Sequence, residues 1–126
     1  MAFTPNTYNI VKVPTEGQLW YKSLYIADLT GCKDIIAAVS GSYHYLTRLV
    51  IRTATAMTVT IGSGETTSAV TTAHIGPIPF DAASGLHVQT FPDGMGMKGT
   101  ISLALTADAS ASGAIWIEAY GKTCLT

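Results

Sequence analysis

Hydrophobic and polar residues alternate with a period of two along several stretches of the chain, which predicts strands that bury one face and expose the other. The clearest alternation falls in residues 43–53, 57–62, 100–106 and 114–120. Weaker runs of the same kind fall in residues 19–27, 34–39, 69–75, 78–80 and 86–90. Helical periodicity is nearly absent, so the pattern predicts an all-β protein with eight or nine short strands.

Segments rich in Gly, Ser, Asp and Pro separate these runs and predict the connections. Residues 62–68 (GSGETTS) and 107–113 (ADASASG) suit hairpins or corners, and the predicted proline corners are Pro77, Pro79 and Pro92. Short strands at near-regular spacing predict a single antiparallel β-sandwich, jelly-roll-like, over residues 16–126, with an up-and-down barrel as the alternative. Residues 1–15 alternate less clearly, and we expect them to form an extended arm that lies on this domain or on a neighbour.

The last predicted strand has an unusual second face. One face holds Ile and Ala residues and belongs in the core, whereas the other carries Trp116, Glu118 and Tyr120. Either a loop or the arm covers these aromatic side chains, or they contact another protein, since Trp, Tyr and Arg are enriched at interfaces. If residues 43–53 form the neighbouring strand, we expect an arginine to pair with Glu118 and a guanidinium to lie over the Trp116 ring. With the aromatic residues of the arm and of the strand after it, the candidate interface residues are Trp116, Glu118, Tyr120, Arg48, Arg52, Tyr8, Trp20 and Tyr21.

Charge is scarce in this chain, and its scarcity narrows the possible partners. Charged residues make up 12% of the sequence and the net charge is −1, against about 25% charged residues in an average soluble protein. Without a run of basic residues, binding to a nucleic-acid backbone is not expected. No apolar stretch approaches the ~20 residues that span a bilayer, and the N-terminus has no pattern of a secretory signal. A weakly charged surface resists self-association poorly and favours a protein that works within an assembly.

Motifs that carry catalysis or bind cofactors are weak here. Residues 94–99 (GMGMKG) satisfy GxGxxG, but a strand rather than a helix is predicted to follow, so we interpret them as a loop. The histidines His44, His74 and His87 lack metal-ligand spacing, and no serine lies in a nucleophile elbow. The sequence therefore predicts no catalytic residue, no cofactor and no metal.

The two cysteines, Cys32 and Cys124, are 92 positions apart, which excludes CxxC metal or redox spacing. They fit two free thiols in a reducing compartment. The alternative is a disulfide that joins the start of the domain to its tail.

From Thr47 to Gly121 the order of signals resembles small jelly-roll virion proteins of tailed bacteriophages. The segments that carry the resemblance are LTRLVIRTATAMTVTIGSG, IGPIPFD, GLHVQTF and GTISLALTADASASGAIWIEAYG. In such proteins a Thr/Val-rich strand precedes a hairpin, a proline corner follows, and a Ser/Ala-rich link leads to an aromatic last strand.

The resemblance implies a capsid decoration (cement) protein or a related accessory component of the virion, assembled in the host cytoplasm. It also implies a homo-oligomer, often a trimer, that binds the major capsid protein or another virion protein and has no catalytic residues. The alternative is a glycan-binding attachment module, because Tyr21, Trp20 or Trp116 would also suit a sugar-binding aromatic platform.

Overall fold

The computed structural model describes residues 10–27, 31–64, 70–80, 85–111 and 113–126, and ten strands lie in these ranges. They are β1 (Ile10–Lys12), β2 (Gln18–Ile26), β3 (Gly31–Ile36), β4 (Tyr43–Thr53), β5 (Met57–Gly64), β6 (Val70–Phe80), β7 (Gly85–Thr90), β8 (Met95–Lys98), β9 (Ala104–Ala109) and β10 (Ile115–Cys124). No helix in the described part of the chain is long and apolar enough to cross a membrane.

The strands form two antiparallel sheets that pack face to face, which confirms the predicted β-sandwich over the barrel. The six-stranded sheet has the order β1-β8-β4-β10-β2, and β7 pairs with β4 alongside β8. The four-stranded sheet has the order β3-β9-β5-β6. The pairings are nested along the chain, because β5 pairs with β6, β4 with β7 and β8, β3 with β9, and β2 with β10.

The core lies between the two sheets and is built from the inward positions of their central strands. In β10, the predicted core residues Ile115, Ile117 and Ala119 are at most 1% exposed, which confirms the alternation read from the sequence. Other fully buried aliphatic side chains of the core include Leu46, Leu49 and Ile51 on the neighbouring β4, and Val59, Ile61 and Leu105 on the opposite sheet. The strands predicted from the clearest alternation over residues 43–53, 57–62 and 114–120 correspond to β4, β5 and β10.

The loop prediction for residues 94–99 is wrong, because Met95–Lys98 form β8 between β1 and β4. A Cβ atom at Gly96 would lie 2.7 Å from the Leu46 carbonyl oxygen of β4. Glycine therefore allows β4 and β8 to approach closely. Because glycine has no side chain, it also contributes nothing to the hydrophobic alternation from which a strand is predicted.

The predicted corners at Pro77 and Pro79 are also wrong. Both prolines lie inside β6, a single strand where two separate runs were expected. Because β6 is the edge strand of its sheet, half of its backbone N–H groups point away from the neighbouring strand. A proline, which has no backbone N–H, can occupy such a position without the loss of a hydrogen bond between strands. Pro92 does lie in a turn, where its carbonyl accepts a hydrogen bond from the Met95 N–H.

The strand predicted over residues 100–106 begins later than expected. Ile101 and Ser102 form a turn, with Ser102 at a φ of 62° and Ile101 exposed, and β9 runs from Ala104 to Ala109. The strand therefore takes in the first residues of the segment predicted as the connection 107–113.

Part of the predicted arm lies on the domain itself. Ile10–Lys12 form β1, which pairs with β8, and the Val13 N–H donates to the Gly94 carbonyl. The Lys122 ammonium donates to the Pro14 and Thr15 carbonyls. Residues 1–9, including the candidate Tyr8, lie outside the described residues.

We expect Ile117→Ala to lower the free energy of unfolding by about 2–5 kcal/mol, because it removes a fully buried side chain between β2 and β4. Glu118→Ala is the matched control on the opposite face of the same strand and should change this free energy by about 0.5 kcal/mol or less. Equal losses in urea unfolding would contradict the assignment of the two faces of β10.

Candidate functional site

Strand β10 lies between β2 and β4 and pairs with both along its length, so its outward side chains lie in rows with those of its neighbours. Beyond β4, strand β7 extends the same rows. We call this surface the aromatic face. It consists of the outward side chains Tyr21, Ser23, Tyr25, Arg48, Val50, Arg52, Leu86, Val88, Thr90, Trp116, Glu118 and Tyr120.

The first row crosses the sheet as Tyr25, Trp116, Arg52 and Leu86. The Arg52 guanidinium carbon lies 4.6 Å from the Trp116 ring centroid, which confirms the predicted stacking. On the other side of Trp116, the Tyr25 ring centroid is 5.0 Å away at an interplanar angle of 38°. Tyr25 itself is 58% exposed and Leu86 63%, so large apolar groups at both ends of the row meet solvent.

The third row repeats this order of chemistry with Tyr21, Tyr120, Arg48 and Thr90. The Tyr21 and Tyr120 ring centroids are 4.6 Å apart, and the Arg48 guanidinium carbon is 5.9 Å from the Tyr120 ring. Tyrosine, a second aromatic ring and arginine thus occur in the same order in two rows. Each aromatic pair contributes roughly 0.5–1.5 kcal/mol and each exposed cation–π contact about 0.5–1 kcal/mol, so the stacking holds these side chains in place.

The middle row places Glu118 between Ser23 and Val50, with Val88 beyond. The expected pairing of Glu118 with an arginine is therefore wrong, because the register puts each arginine opposite an aromatic residue instead. Glu118 accepts a hydrogen bond of 3.4 Å from the Tyr21 hydroxyl. A cavity of about 180 Å³ opens beside it, lined by Val50, Arg52, Leu86, Trp116 and Glu118.

The regular rows end at Gly121, where the register of β10 against β4 shifts by one residue. A Cβ atom at this position would overlap the Tyr45 carbonyl oxygen and the Trp20 ring, so the close approach requires glycine. The Thr47 hydroxyl donates to the Tyr120 carbonyl at the same point.

The structure brings together six of the candidate interface residues, namely Trp116, Glu118, Tyr120, Arg48, Arg52 and Tyr21. Trp20 is on the opposite side of β2, half-buried against the core, with its ring centroid 6.2 Å from that of His44. Among the residues that the structure describes, neither a loop nor the arm covers Trp116 and Tyr120. Trp116 is half-buried by its stacking partners, and Tyr120 remains exposed.

The sequence pattern did not identify three exposed residues of the aromatic face, namely Tyr25, Leu86 and Val88. Leu86 and Val88 alternate with the half-buried His87 and Gln89, so alternation alone suggests that the apolar residues point inward. Tyr25 lies in the run 19–27, where both sets of alternating positions contain large apolar residues, so the sequence does not show which set points outward. Only the register with β10 and β4 shows that all three lie on the same outer face as Trp116.

Two histidines lie in the core rather than at a site. The His44 imidazole contacts the Ala37 carbonyl through Nε2 at 2.8 Å and the Thr123 hydroxyl through Nδ1 at 2.7 Å. Because a carbonyl only accepts, Nε2 carries the proton of the neutral ring and Nδ1 accepts from Thr123. Burial lowers the pKa of His44, and the bond to the Ala37 carbonyl opposes this only in part.

Ser63 and His74 form a second contact between a hydroxyl and an imidazole, besides that of Thr123 with His44, and such a contact resembles a nucleophile with its base. Ser63 Oγ lies 2.8 Å from His74 Nε2 and also accepts a hydrogen bond from the Thr100 N–H. Ser63 is 0% exposed, so a substrate has no access to the hydroxyl in this conformation, and the pair fastens the turn before β9 to β5 and β6. Burial lowers the pKa of His74 as well.

The cysteines are free thiols rather than a clasp, and the Cys124 thiol donates to the Glu16 carbonyl. Within the described ranges, no three His, Cys, Asp or Glu side chains are grouped in a way that could hold a metal ion.

We expect the free energy of unfolding to decrease as the pH falls below about 6.5, the usual value for histidine. The folded-state pKa values of His44 and His74 are lowered, so the unfolded chain binds more protons in this range and acid favours unfolding. Urea unfolding between pH 7.5 and 5.5 measures the slope, and His44→Asn should make it shallower. A stability that is constant over this range would contradict the burial of two neutral imidazoles.

Comparison of the chain with family models, with curated proteins and with solved structures finds no match.

Proposed function

We propose that this protein is a structural component of a virion, of the capsid decoration or cement type, and that it stabilises an assembly by burying the aromatic face against neighbouring subunits. One observation carries the proposal: the side chains of this face are held in an ordered arrangement and are nevertheless exposed to solvent. Its rings and guanidinium groups are stacked in two rows on a rigid sheet, yet Tyr21, Tyr25, Leu86 and Val88 remain about half or more exposed.

Stacking before binding makes the face suited to protein contact. A side chain that is already held in one conformation loses little entropy when a partner covers it, so more of its burial energy appears as affinity. Tyrosine, tryptophan and arginine are also the residue types that contribute most at interfaces. The two arginines outnumber the single glutamate, so the complementary surface is apolar with an excess of acidic groups.

The size of the face favours repeated rather than solitary contacts. Four strands spaced about 4.8 Å apart and three outward residues about 6.8 Å apart give a planar area of roughly 400 Å². A stable interface buries about 800 Å² on each partner, so one such contact is weak. Symmetry that repeats the contact on a shell would raise the overall affinity without a larger patch.

The chain path supports the jelly-roll form of the sandwich, which we include in the proposal. Its pairings nest from β5·β6 outward to β2·β10, and consecutive strands from β2 to β5 alternate between the two sheets. Two sheets wound in this way are the arrangement of a jelly roll. Together with the resemblance of residues 47–121 to phage virion proteins and the low charge of the chain, this favours a structural role.

The alternative, a glycan-binding module, requires an open aromatic platform. Arg52 and Tyr25 stack on Trp116, and Tyr21 packs against Tyr120, so these rings already have partners in the unbound protein. The cavity beside Glu118 is only about 180 Å³, below the ~300–1,000 Å³ typical of small-molecule sites. The geometry therefore favours a flat protein partner.

The test is a charge placed in the middle row of the aromatic face, on its outer strand β7. Val88→Lys should raise the dissociation constant for self-assembly about tenfold or more, because it inserts an ammonium group into an apolar contact. Sedimentation velocity over a range of concentrations measures this. Val88 lies on β7 and its side chain faces solvent, so the fold should be preserved.

Ala54→Lys is the matched control, since Ala54 is exposed in the turn after β4 and outside the face. Assembly that is equally insensitive to both substitutions would contradict the proposal. Binding on a glycan array by a chain that does not assemble would instead support the attachment module.

A further inference from the structure

The edges of the two sheets differ in how well they are protected against pairing with another strand. In the four-stranded sheet, β6 contains Pro77 and Pro79, and β3 carries Lys33 and Asp34 next to a register shift. In the six-stranded sheet, one side is divided between β1 and β7, with three and six residues. Short strands, prolines, charges and bulges are the usual means of preventing edge-to-edge association.

Strand β2 at the other side of the six-stranded sheet lacks most of these devices. It is nine residues long, contains neither proline nor glycine, and pairs with β10 without a register shift. Among the described strands only β10 pairs with it, and none of them lies at its second edge. Its outward residues include Leu19, which is 76% exposed, together with the exposed Tyr21 and Tyr25. A long, regular and apolar edge of this kind is a template for another strand.

We propose that β2 pairs antiparallel with β2 of a second copy of this chain, about a two-fold axis at Ser23. This register places Tyr21 of each copy opposite Tyr25 of the other, on the same side of the extended sheet. The two Ser23 residues face each other at the axis. Two aromatic pairs then form across the junction, and the aromatic faces of both copies join into one continuous surface.

The single charged residue of β2 disfavours a neighbouring register. A two-fold axis at Lys22 would place two ammonium groups directly opposite each other, which is unfavourable. With the axis at Ser23, each Lys22 lies opposite Leu24, and the two lysines are offset by two residues. The sequence of β2 is therefore complementary to itself when the axis lies at Ser23, as an isologous contact requires, and this favours a second copy over an unrelated strand.

The pairing deepens the proposed function and rests on it, because it assumes that the chain assembles with itself. It uses a different surface from the aromatic face. The aromatic face alone supplies about half of the area of a stable interface. A dimer through β2 presents two such faces side by side, so each shell contact is made by a bivalent unit.

A disulfide at the axis tests the pairing directly. Opposite residues of antiparallel strands have Cα atoms about 4.5–5.5 Å apart, within the range that a disulfide spans. In a Cys32→Ser background, Ser23→Cys should form a covalent dimer under mild oxidation, whereas Ala54→Cys should remain reduced. The remaining Cys124 is buried, and burial raises the pKa of its thiol, so it should not compete.

A charge at the axis tests it without oxidation. Ser23→Lys places two ammonium groups opposite each other and should raise the dimer dissociation constant about tenfold. Within each copy the new lysine faces Glu118 of β10, so the fold should be preserved. Ala54→Lys should leave the dimer unchanged.

Several outcomes would overturn the pairing. They are a stable trimer, a dimer insensitive to Ser23→Lys, or a chain that stays monomeric at every concentration, which would assign the edge to a strand of another protein. A trimer that is sensitive to Val88→Lys would overturn the pairing and leave the proposed function in place. A dimer that is sensitive to Ser23→Lys, but whose further association into larger assemblies is insensitive to Val88→Lys, would do the reverse.

Discussion

The structure depends on the alternation of side chains along β10. One side of this strand, Ile115, Ile117 and Ala119, closes the core against the four-stranded sheet. The other side lies in the middle of the aromatic face, and the backbone in between pairs with β2 and β4 along nearly its whole length. A slip of one residue would bury a glutamate and expose the core, so the register that secures the fold also fixes the aromatic rows.

The aromatic face shows that a surface can favour association with other proteins and still have well-ordered side chains. Each arginine lies against an aromatic ring instead of pairing with Glu118, and each central ring lies between a tyrosine and a guanidinium. The contacts are individually weak, about 0.5–1.5 kcal/mol, but they fix the shape of the surface. The groups that remain exposed are mainly tyrosine, leucine and valine side chains, with two guanidinium groups and one carboxylate among them. Recognition of a partner by such a surface depends more on the positions of the stacked side chains than on charge, in agreement with the low charge of the whole chain.

The polar groups in the interior have a different role. His44 connects β4 to the Ala37 carbonyl and to Thr123 of β10, and Ser63 connects His74 to the turn at Thr100. Both groups hold chain segments that leave the sheets, where ladder hydrogen bonds end. Their burial explains why residue types common in active sites lie here without access to a substrate. The aromatic face and the second edge of β2, in contrast, lie on the outside of the six-stranded sheet.

The sequence by itself determined the β class, the core side of β4, β5 and β10, and the two-sided character of β10, because a period of two is a local property of neighbouring residues. It missed β8, where glycines leave no pattern, and it divided β6 at prolines that an edge strand tolerates. It also assigned Trp20 to the surface and overlooked Tyr25, Leu86 and Val88. Only the tertiary structure decided these points, since which strands become neighbours, and in which register, depends on contacts between residues far apart in the chain. The aromatic face exists because four such strands meet, and no single stretch of sequence contains it.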